Sequence, residues 1–263
     1  MLDETTYRAS KRDKGVETSM IREVIAITVI ISISAVAAGE LMGEEKSEFD
    51  ALVKRLNYNP DDLEAGDRLR SICRKNDANG ECIDALNELT KRHPKNRSLR
   101  YQAALSYVDE VPGHSLFRQG WLSSRSMEHM SEVIHLEPND WAAYYIRGLN
   151  GLYWPRSFRK LPKAITDLTT CIDLSKKLPD GLVKPYHGLA YIALGDAYVK
   201  NKDIEKGREI YSQGSKAFES SEMKKRLSMN DEELSNFIKE FRHTDKAVDT
   251  EISFLLGGGA EKL

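Results

Sequence analysis

Residues 60–94 read PDDLEAGDRLRSICRKNDANGECIDALNELTKRHP, and this stretch predicts two helices joined by a short turn. The turn is placed at Asn76–Gly80, where Asn, Asp and Gly cluster between two segments of helical periodicity. Asp61 and Asp62 supply the acceptors and the negative charge that favour a helix N-terminus. Apolar side chains then recur along one side of each helix, at Leu63, Leu69, Ile72 and Cys73 and again at Cys82, Leu86 and Leu89.

Three downstream segments repeat the pattern. The one that begins at Gly188 is the most regular, with glycines and large apolar residues at Tyr191, Leu194, Gly195, Tyr198, Gly207, Tyr211 and Gly214. The one that begins at Trp141 carries Tyr144, Gly148, Ala164, Leu168 and Cys171, provided that its turn holds four extra residues. The one that begins near Arg97 carries Ala104 and Tyr107 and closes at Pro138, so it holds about ten extra residues.

This spacing resembles the tetratricopeptide repeat family, whose unit is a helix–turn–helix of about 34 residues. The resemblance covers about residues 60–220. It implies an all-α fold, a right-handed α-solenoid of about four repeats with the bounds 60–94, 95–138, 139–179 and 180–221. In this family two small positions let the helices of a repeat touch. The first repeat departs from that rule, because Arg70 occupies one of them, and weak packing is expected there.

Residues 1–43 carry the localisation signal. The apolar run 24–38, VIAITVIISISAVAA, is shorter than the ~20 residues of a membrane span and ends in the small-x-small pattern of a signal-peptidase site. Basic residues precede it and acidic residues follow it, an asymmetry that places the repeats outside the cytoplasm. We therefore expect a periplasmic protein secreted by a signal peptide. An uncleaved anchor that associates with the membrane through 24–38 and a buried core helix are the alternatives.

Helices are also expected on both sides of the repeats, because terminal repeats need a cover. Residues 44–59 predict an amphipathic N-terminal capping helix with Phe49, Leu52, Val53 and Leu56 on one side. Residues 222–263 predict C-terminal capping helices and a tail, one helix starting at Met229–Glu233 and another running from Thr244 to about Leu256. An interaction helix is the alternative for the C-terminal segment.

The repeat register places Cys73 and Cys82 opposite each other near the turn of the first hairpin. A disulfide needs Cα atoms ~4.4–6.8 Å apart, which this placement allows, and export favours oxidation. We therefore expect a disulfide between them, with two small apolar core residues as the alternative. Cys171 is expected to be a buried thiol.

No motif of catalysis is present: GxSxG, the P-loop and HExxH are missing, as are CxxC pairs and Cys/His sets at metal-ligand spacing. The sequence therefore predicts a protein that is not an enzyme and holds no metal and no cofactor. The formal net charge of −2 gives no general attraction for nucleic acid, which is not expected as a partner.

The resemblance implies a concave groove lined by the first helix of each repeat. The groove residues it selects are Tyr101, Leu105, Tyr145, Leu149, Leu152, Tyr153 and Ile192. A groove that is aromatic in the middle suits an apolar helix or an extended peptide. The leading hypothesis is thus an extracytoplasmic adaptor or scaffold that binds a protein or peptide partner during assembly of a cell-envelope complex. As an alternative, the C-terminal helices of this chain fill the groove.

Two enlarged turns, Val111–Arg125 and Trp154–Pro162, are expected on one edge of the repeats, where they combine aromatic rings with cations. The residues concerned are Phe117, Arg118, Trp121, Trp154, Arg156, Phe158 and Arg159. They favour a second hypothesis, a small-molecule-binding accessory of an envelope transporter, because guanidinium groups beside rings recognise anionic or aromatic ligands. Stacking of these side chains on one another, which would stabilise the two turns, is the alternative.

Overall fold

The computed structural model describes residues 39–179, 181–243 and 250. The described residues from Glu40 onward form one compact unit. All regular secondary structure in the described residues is helical, which confirms the predicted all-α class. The apolar run 24–38 lies outside the described residues, and no described helix has the length and apolar character needed to cross a membrane.

The described part of the chain contains eleven α-helices. In chain order they are α1 (Gly43–Tyr58), α2 (Leu63–Lys75), α3 (Asn79–Arg92), α4 (Arg97–Asp109), α5 (Leu116–Leu136), α6 (Trp141–Tyr153), α7 (Leu161–Lys176), α8 (Gly188–Lys200), α9 (Ile204–Ala217), α10 (Ser221–Ser228) and α11 (Asp231–Phe241). Two short 3-10 helices, Arg156–Phe158 and Pro185–His187, precede α7 and α8. From α1 to α11 nearly every helix packs against the helix that follows it in the chain.

The helices predicted to open the four repeats start where the sequence places them. Helices α2, α4, α6 and α8 begin at Leu63, Arg97, Trp141 and Gly188. Three of these helices have a side-chain N-cap. Asp62, Asn96 and Asp140 each accept a hydrogen bond from a backbone N–H in the first turn. Helix α8 instead follows directly from the 3-10 turn at Pro185–His187.

The predicted turn at Val111–Arg125 is wrong over most of its length. Helix α5 already begins at Leu116, so the extra residues extend that helix to 21 residues. Ser115 caps it through its side chain, which accepts from the N–H of Arg118. Buried residues then follow at helical spacing, Gln119, Leu122, Ser123, Ser126, Met130 and Val133. The second predicted turn is a true connection, with Trp154 to Lys160 separating α6 from α7.

The buried apolar side chains form successive clusters along the chain. One cluster joins α1 to α4, a larger one runs from α4 to α10, and a third joins α8, α9 and α11. Close helix contacts depend on small residues at two of the predicted positions. A Cβ at Gly195 would lie 2.2 Å from the Tyr211 ring, and one at Gly148 would lie 2.9 Å from Leu168. At both positions only glycine lets the helices approach this closely.

Arg70 does not weaken the first repeat in the way the sequence suggests. Its side chain is fully buried, and its guanidinium donates to Gln102 at 2.7 Å and to the Asp109 carboxylate at 2.9 Å. Both partners lie on α4, so a buried ion pair joins α2 to the next first helix. The neighbouring Gly66 makes room for Gln102, because a Cβ there would lie 2.6 Å from that side chain.

The flanking helices are present where they are described. Helix α1 buries Phe49, Leu52 and Leu56 in a cluster with residues of α2, α3 and α4. Helix α11 begins with a capping box, in which Asn230 and Glu233 satisfy each other's backbone N–H groups. Of the helix predicted from Thr244 to about Leu256, only Thr250 belongs to the described residues.

Candidate functional site

The predicted groove residues lie on α4, α6 and α8, and most of them are buried. Tyr101, Leu105, Tyr145, Leu152 and Ile192 are buried, whereas Leu149 and Tyr153 are half-buried. Together with the neighbouring polar residues Arg70, Arg74, Asp109, Asp196 and Lys200, we call these residues the first-helix surface. Several of its polar groups contact residues from the C-terminal part of the same chain.

Arg242, directly after α11, makes the first set of these contacts. Its guanidinium donates to the Asp196 carboxylate at 2.8 Å and to the Tyr153 hydroxyl at 3.0 Å. The guanidinium also lies over the Tyr153 ring, 5.4 Å from the ring centroid. Lys200 completes the contact, since its ammonium donates to the main-chain carbonyl of Arg242 at 2.8 Å and to that of Leu152 at 2.7 Å.

Asp196 is the centre of a buried polar cluster. Its carboxylate is fully buried and accepts from Arg226 at 2.8 Å, from Arg242 at 2.8 Å and from the Tyr211 hydroxyl at 2.7 Å. Two guanidinium groups and a phenol thus compensate one carboxylate in a dry environment. Burial, followed by the charge of Asp196, raises the pKa of Tyr211 far above its usual value. The cluster fixes α10 and the end of α11 to α8.

The Lys200 ammonium lies next to Arg242, and this position lowers its pKa. Burial, followed by the like charge of Arg242, lowers the pKa of Lys200 to about 8. The hydrogen bonds that Lys200 donates to carbonyl oxygens need no carboxylate partner. The ammonium therefore acts as a donor to main-chain groups rather than as one half of an ion pair.

Thr250 makes the second set of contacts, at the other end of the first-helix surface. Arg70 donates to its main-chain carbonyl at 2.9 Å, and Arg74 donates to its hydroxyl at 3.2 Å. The same hydroxyl donates to the Asp109 carboxylate. Thr250 is only 4% exposed, and its polar contacts with α2 and α4 are therefore buried.

The two sets of contacts share one chemical feature. Arg70 and Lys200 both donate to main-chain carbonyls of C-terminal residues, while Asp109 and Asp196 accept from their side chains. Donors to a peptide carbonyl combined with acceptors for a hydroxyl or a guanidinium are the groups that recognise a polypeptide. The first-helix surface is thus already occupied in part by its own chain.

A cleft of about 570 Å³ opens at the N-terminal ends of α4 and α6. Its walls include Arg97, Tyr101, Asp140, Trp141 and Tyr186. Asp140 caps α6, accepts from Arg97 at 2.8 Å and accepts from the Tyr101 hydroxyl. Burial, followed by the charge of Asp140, raises the pKa of Tyr101 far above its usual value. Arg97, Tyr101 and Asp140 therefore join α4 to the start of α6.

The aromatic and basic residues of the two predicted turns come together at one edge. Trp154 is buried, and its indole N–H donates to Ser123 of α5 at 2.7 Å. Its ring contacts that of Phe158 with centroids 5.0 Å apart. The Arg118 guanidinium lies 4.5 Å from the Trp121 ring centroid. These contacts agree with the alternative in which the side chains stack on one another, while Phe117, Arg156 and Arg159 are exposed.

Cys73 and Cys82 are buried, and the structure records them as free thiols. The two side chains form a hydrogen bond with each other. Burial, followed by this hydrogen bond, raises the pKa of the Cys82 thiol. Their disulfide stays a prediction. Cys171 is buried as expected, and its thiol donates to the carbonyl of Trp141 at 3.5 Å.

Among the described histidines, His129 has a strongly lowered pKa. Burial, followed by the charges of two nearby arginines, lowers its pKa to about 4. Its ring contacts Tyr107, and one ring nitrogen lies 3.2 Å from the Asn87 side chain, so it has a packing role. In the described part of the chain, no group of three or more His, Cys, Asp or Glu side chains is placed to hold a metal ion.

Sequence reasoning missed the polar members of the first-helix surface as binding residues. Asp109, Lys200, Arg242 and Thr250 carry the observed contacts, yet none of them was selected from the sequence. One signal was available for Asp196, the single carboxylate in the mostly apolar helix GLAYIALGDAYVK. A carboxylate in such a helix is buried and needs a cationic partner.

Comparison with models of known protein families and with curated proteins gives no match for this chain.

Proposed function

We propose that the protein is a non-enzymatic helical-repeat adaptor that binds a polypeptide segment of a partner protein on its first-helix surface. The four first helices that start in the repeat register, the helix pairs that follow each other in contact and the successive core clusters support a solenoid of tetratricopeptide type. We place it outside the cytoplasm, in a cell-envelope complex, on the signal-like pattern of residues 24–38.

One observation carries this proposal: the surface already binds main-chain carbonyls of its own chain. Arg70 donates to the carbonyl of Thr250, and Lys200 donates to that of Arg242. Contacts to main-chain carbonyls do not depend on side-chain identity, so a segment of another protein can make them equally well. Side-chain selectivity then comes from Asp109 and Asp196, which accept from a hydroxyl and a guanidinium.

In-cell photo-crosslinking tests the proposal. A photoreactive phenylalanine analogue is introduced at Tyr153, which is half-buried on the first-helix surface, and at Leu136, which is exposed at the end of α5, as the control. A partner protein should crosslink at position 153 and not at position 136, and mass spectrometry identifies it. Equal crosslinking at both positions, or none at 153, would reject the first-helix surface as the binding site.

A second variant ties the crosslink to the contacts of the C-terminal residues. Thr250→Val keeps the volume of the side chain but removes the hydroxyl that links Arg74 to Asp109. If Thr250 occupies the surface in competition with the partner, this variant raises the yield of the crosslink at position 153. The matched control is Thr170→Val, whose hydroxyl bonds only within α7. A lower yield in Thr250→Val would mean that Thr250 helps to build the site.

A further inference from the structure

The edge formed by residues 116–125 of α5 and residues 154–160 exposes an unusual amount of apolar surface, and we call it the aromatic–basic edge. Ten large apolar side chains are exposed in the described part of the chain, and four of them lie here. They are Leu116 at 52%, Phe117 at 90%, Trp121 at 44% and Phe158 at 44% exposure. Exposed apolar clusters of this kind mark interaction surfaces.

The backbone that carries the exposed side chains is fixed. Trp154 is 4% exposed and connects the two segments, because it donates to Ser123 and its ring contacts that of Phe158. The cap at Ser115 keeps Leu116 and Phe117 in the first turn of a regular helix. The aromatic–basic edge therefore has a preformed backbone from which the exposed side chains project.

The edge also concentrates positive charge. Its two segments contain five cations and no carboxylate, whereas the whole chain has a net charge of −2. The cations are Arg118, Arg125, Arg156, Arg159 and Lys160. Arg125 pairs with Glu128, but Arg156, Arg159 and Lys160 have no ion-pair partner among the described residues. Their charge is left for an anionic partner.

We propose that the aromatic–basic edge docks on the surface of a bilayer that contains anionic lipid. Trp and Phe side chains favour the headgroup level, where an apolar ring lies beside a polar layer. Arg and Lys attract anionic headgroups over a distance of about one Debye length. A small-molecule site is usually concave, whereas Phe117 protrudes from the helix with most of its surface in solvent. In the alternative in which the apolar run 24–38 stays as an anchor, it brings the same chain to a membrane.

An environment-sensitive fluorophore on the full chain tests this proposal. All three native cysteines are buried, so a new surface thiol is labelled selectively. Ser157→Cys places the label between Arg156 and Phe158 without removing any aromatic or basic side chain of the edge, and Ser221→Cys on α10 is the matched exposed control. With phosphatidylglycerol vesicles, the label at 157 should shift to the blue and be quenched by nitroxide lipids, and the label at 221 should do neither.

Charge variants extend the test. Adding Arg156→Gln and Arg159→Gln should lower the vesicle partition coefficient, measured with the label at 157, about 25-fold at low salt. Each cation contributes about fivefold to that coefficient. The control pair Lys177→Gln and Lys216→Gln changes the charge equally at exposed sites elsewhere and should have no such effect.

The outcomes separate the alternatives. If residues 24–38 attach the chain to vesicles but the label at 157 stays in water, the proposal is overturned. It is also overturned if insertion is the same with purely zwitterionic vesicles, or if the edge variants leave it unchanged. A thermal shift with soluble anionic metabolites that Arg156→Ala abolishes, without insertion of the label, would assign the edge to a small ligand instead.

Discussion

Replacing Asp196 with Asn should destabilise the protein more than any exposed carboxylate substitution. The Asp196 side chain is completely buried and contacts Arg226 and Arg242, whose side chains are 1% and 8% exposed. The amide keeps the volume and one acceptor oxygen but removes the negative charge. Two guanidinium groups then remain buried, and only Arg226 keeps a second carboxylate, Glu222 at 2.7 Å.

The size of the effect follows from the burial of these groups. Breaking a buried ion pair by removing one partner destabilises a protein by about 3–5 kcal/mol, because an uncompensated charge stays in the interior. A domain has a total stability of about 5–15 kcal/mol, so Asp196→Asn should remove a large part of it. The exposed pair Arg208–Asp231 also has a 2.8 Å contact, but the Asp231 side chain is 70% exposed. Asp231→Asn should therefore change the stability by at most about 1 kcal/mol.

Urea denaturation followed by far-UV circular dichroism measures both variants. A double-mutant cycle with Arg242→Gln then isolates the contact itself, since Arg242→Gln should cost much less in the Asp196→Asn background than in the wild type. Two results would refute the reasoning: a loss below about 1 kcal/mol for Asp196→Asn, which an exposed pair would give, or strictly additive effects in the cycle.

Three further predictions concern other parts of the chain. Gly195→Ala places a methyl group 2.2 Å from the Tyr211 ring and should lower the stability by about 1–3 kcal/mol in the same denaturation assay, whereas an unchanged midpoint would contradict the close contact. His129 has its pKa lowered to about 4 by burial, so the unfolded state takes up the proton first and stability should fall between about pH 6.5 and pH 4 by up to about 3 kcal/mol; His129→Gln should lose this dependence. In protein purified from the cell envelope, Cys73 and Cys82 should resist alkylation after unfolding until a reductant is added, and thiols that react without reductant would reject the predicted disulfide.

The helix starts could be predicted because their causes are local. Asp62, Asn96 and Asp140 stand directly before an apolar period, and each of them caps a helix through its side chain. The predicted turn before α5 was wrong for an equally local reason. Val111–Arg125 was predicted to be an enlarged turn, but Ser115 is an N-cap and buried residues recur at helical spacing from Gln119 onward.

The polar contacts of the candidate site could not be predicted, because their causes are not local. Asp196 meets Arg242 across 46 residues, and Arg70 meets the carbonyl of Thr250 across 180 residues. Arg70 illustrates the limit best. Its presence at a position where a small residue is expected indicated poor packing. In the structure, Arg70 instead forms a buried ion pair with Asp109, which joins α2 to α4. Only the packing of distant segments supplies that partner.

Both ends of the first-helix surface are held by charged groups of the helices. Arg242 has a buried ion pair, a phenol hydroxyl and a contact from Lys200 to its carbonyl, and Thr250 has hydrogen bonds with Arg70, Arg74 and Asp109. Disrupting a buried ion pair costs about 3–5 kcal/mol, and each hydrogen bond between a charged and a neutral group contributes about 1.5–3 kcal/mol, so neither end is released easily. A partner segment therefore has to replace the contacts of Arg242 or Thr250 with contacts of its own. Its affinity is reduced by the fraction of molecules in which these residues occupy the surface, so the first contacts it makes should be polar.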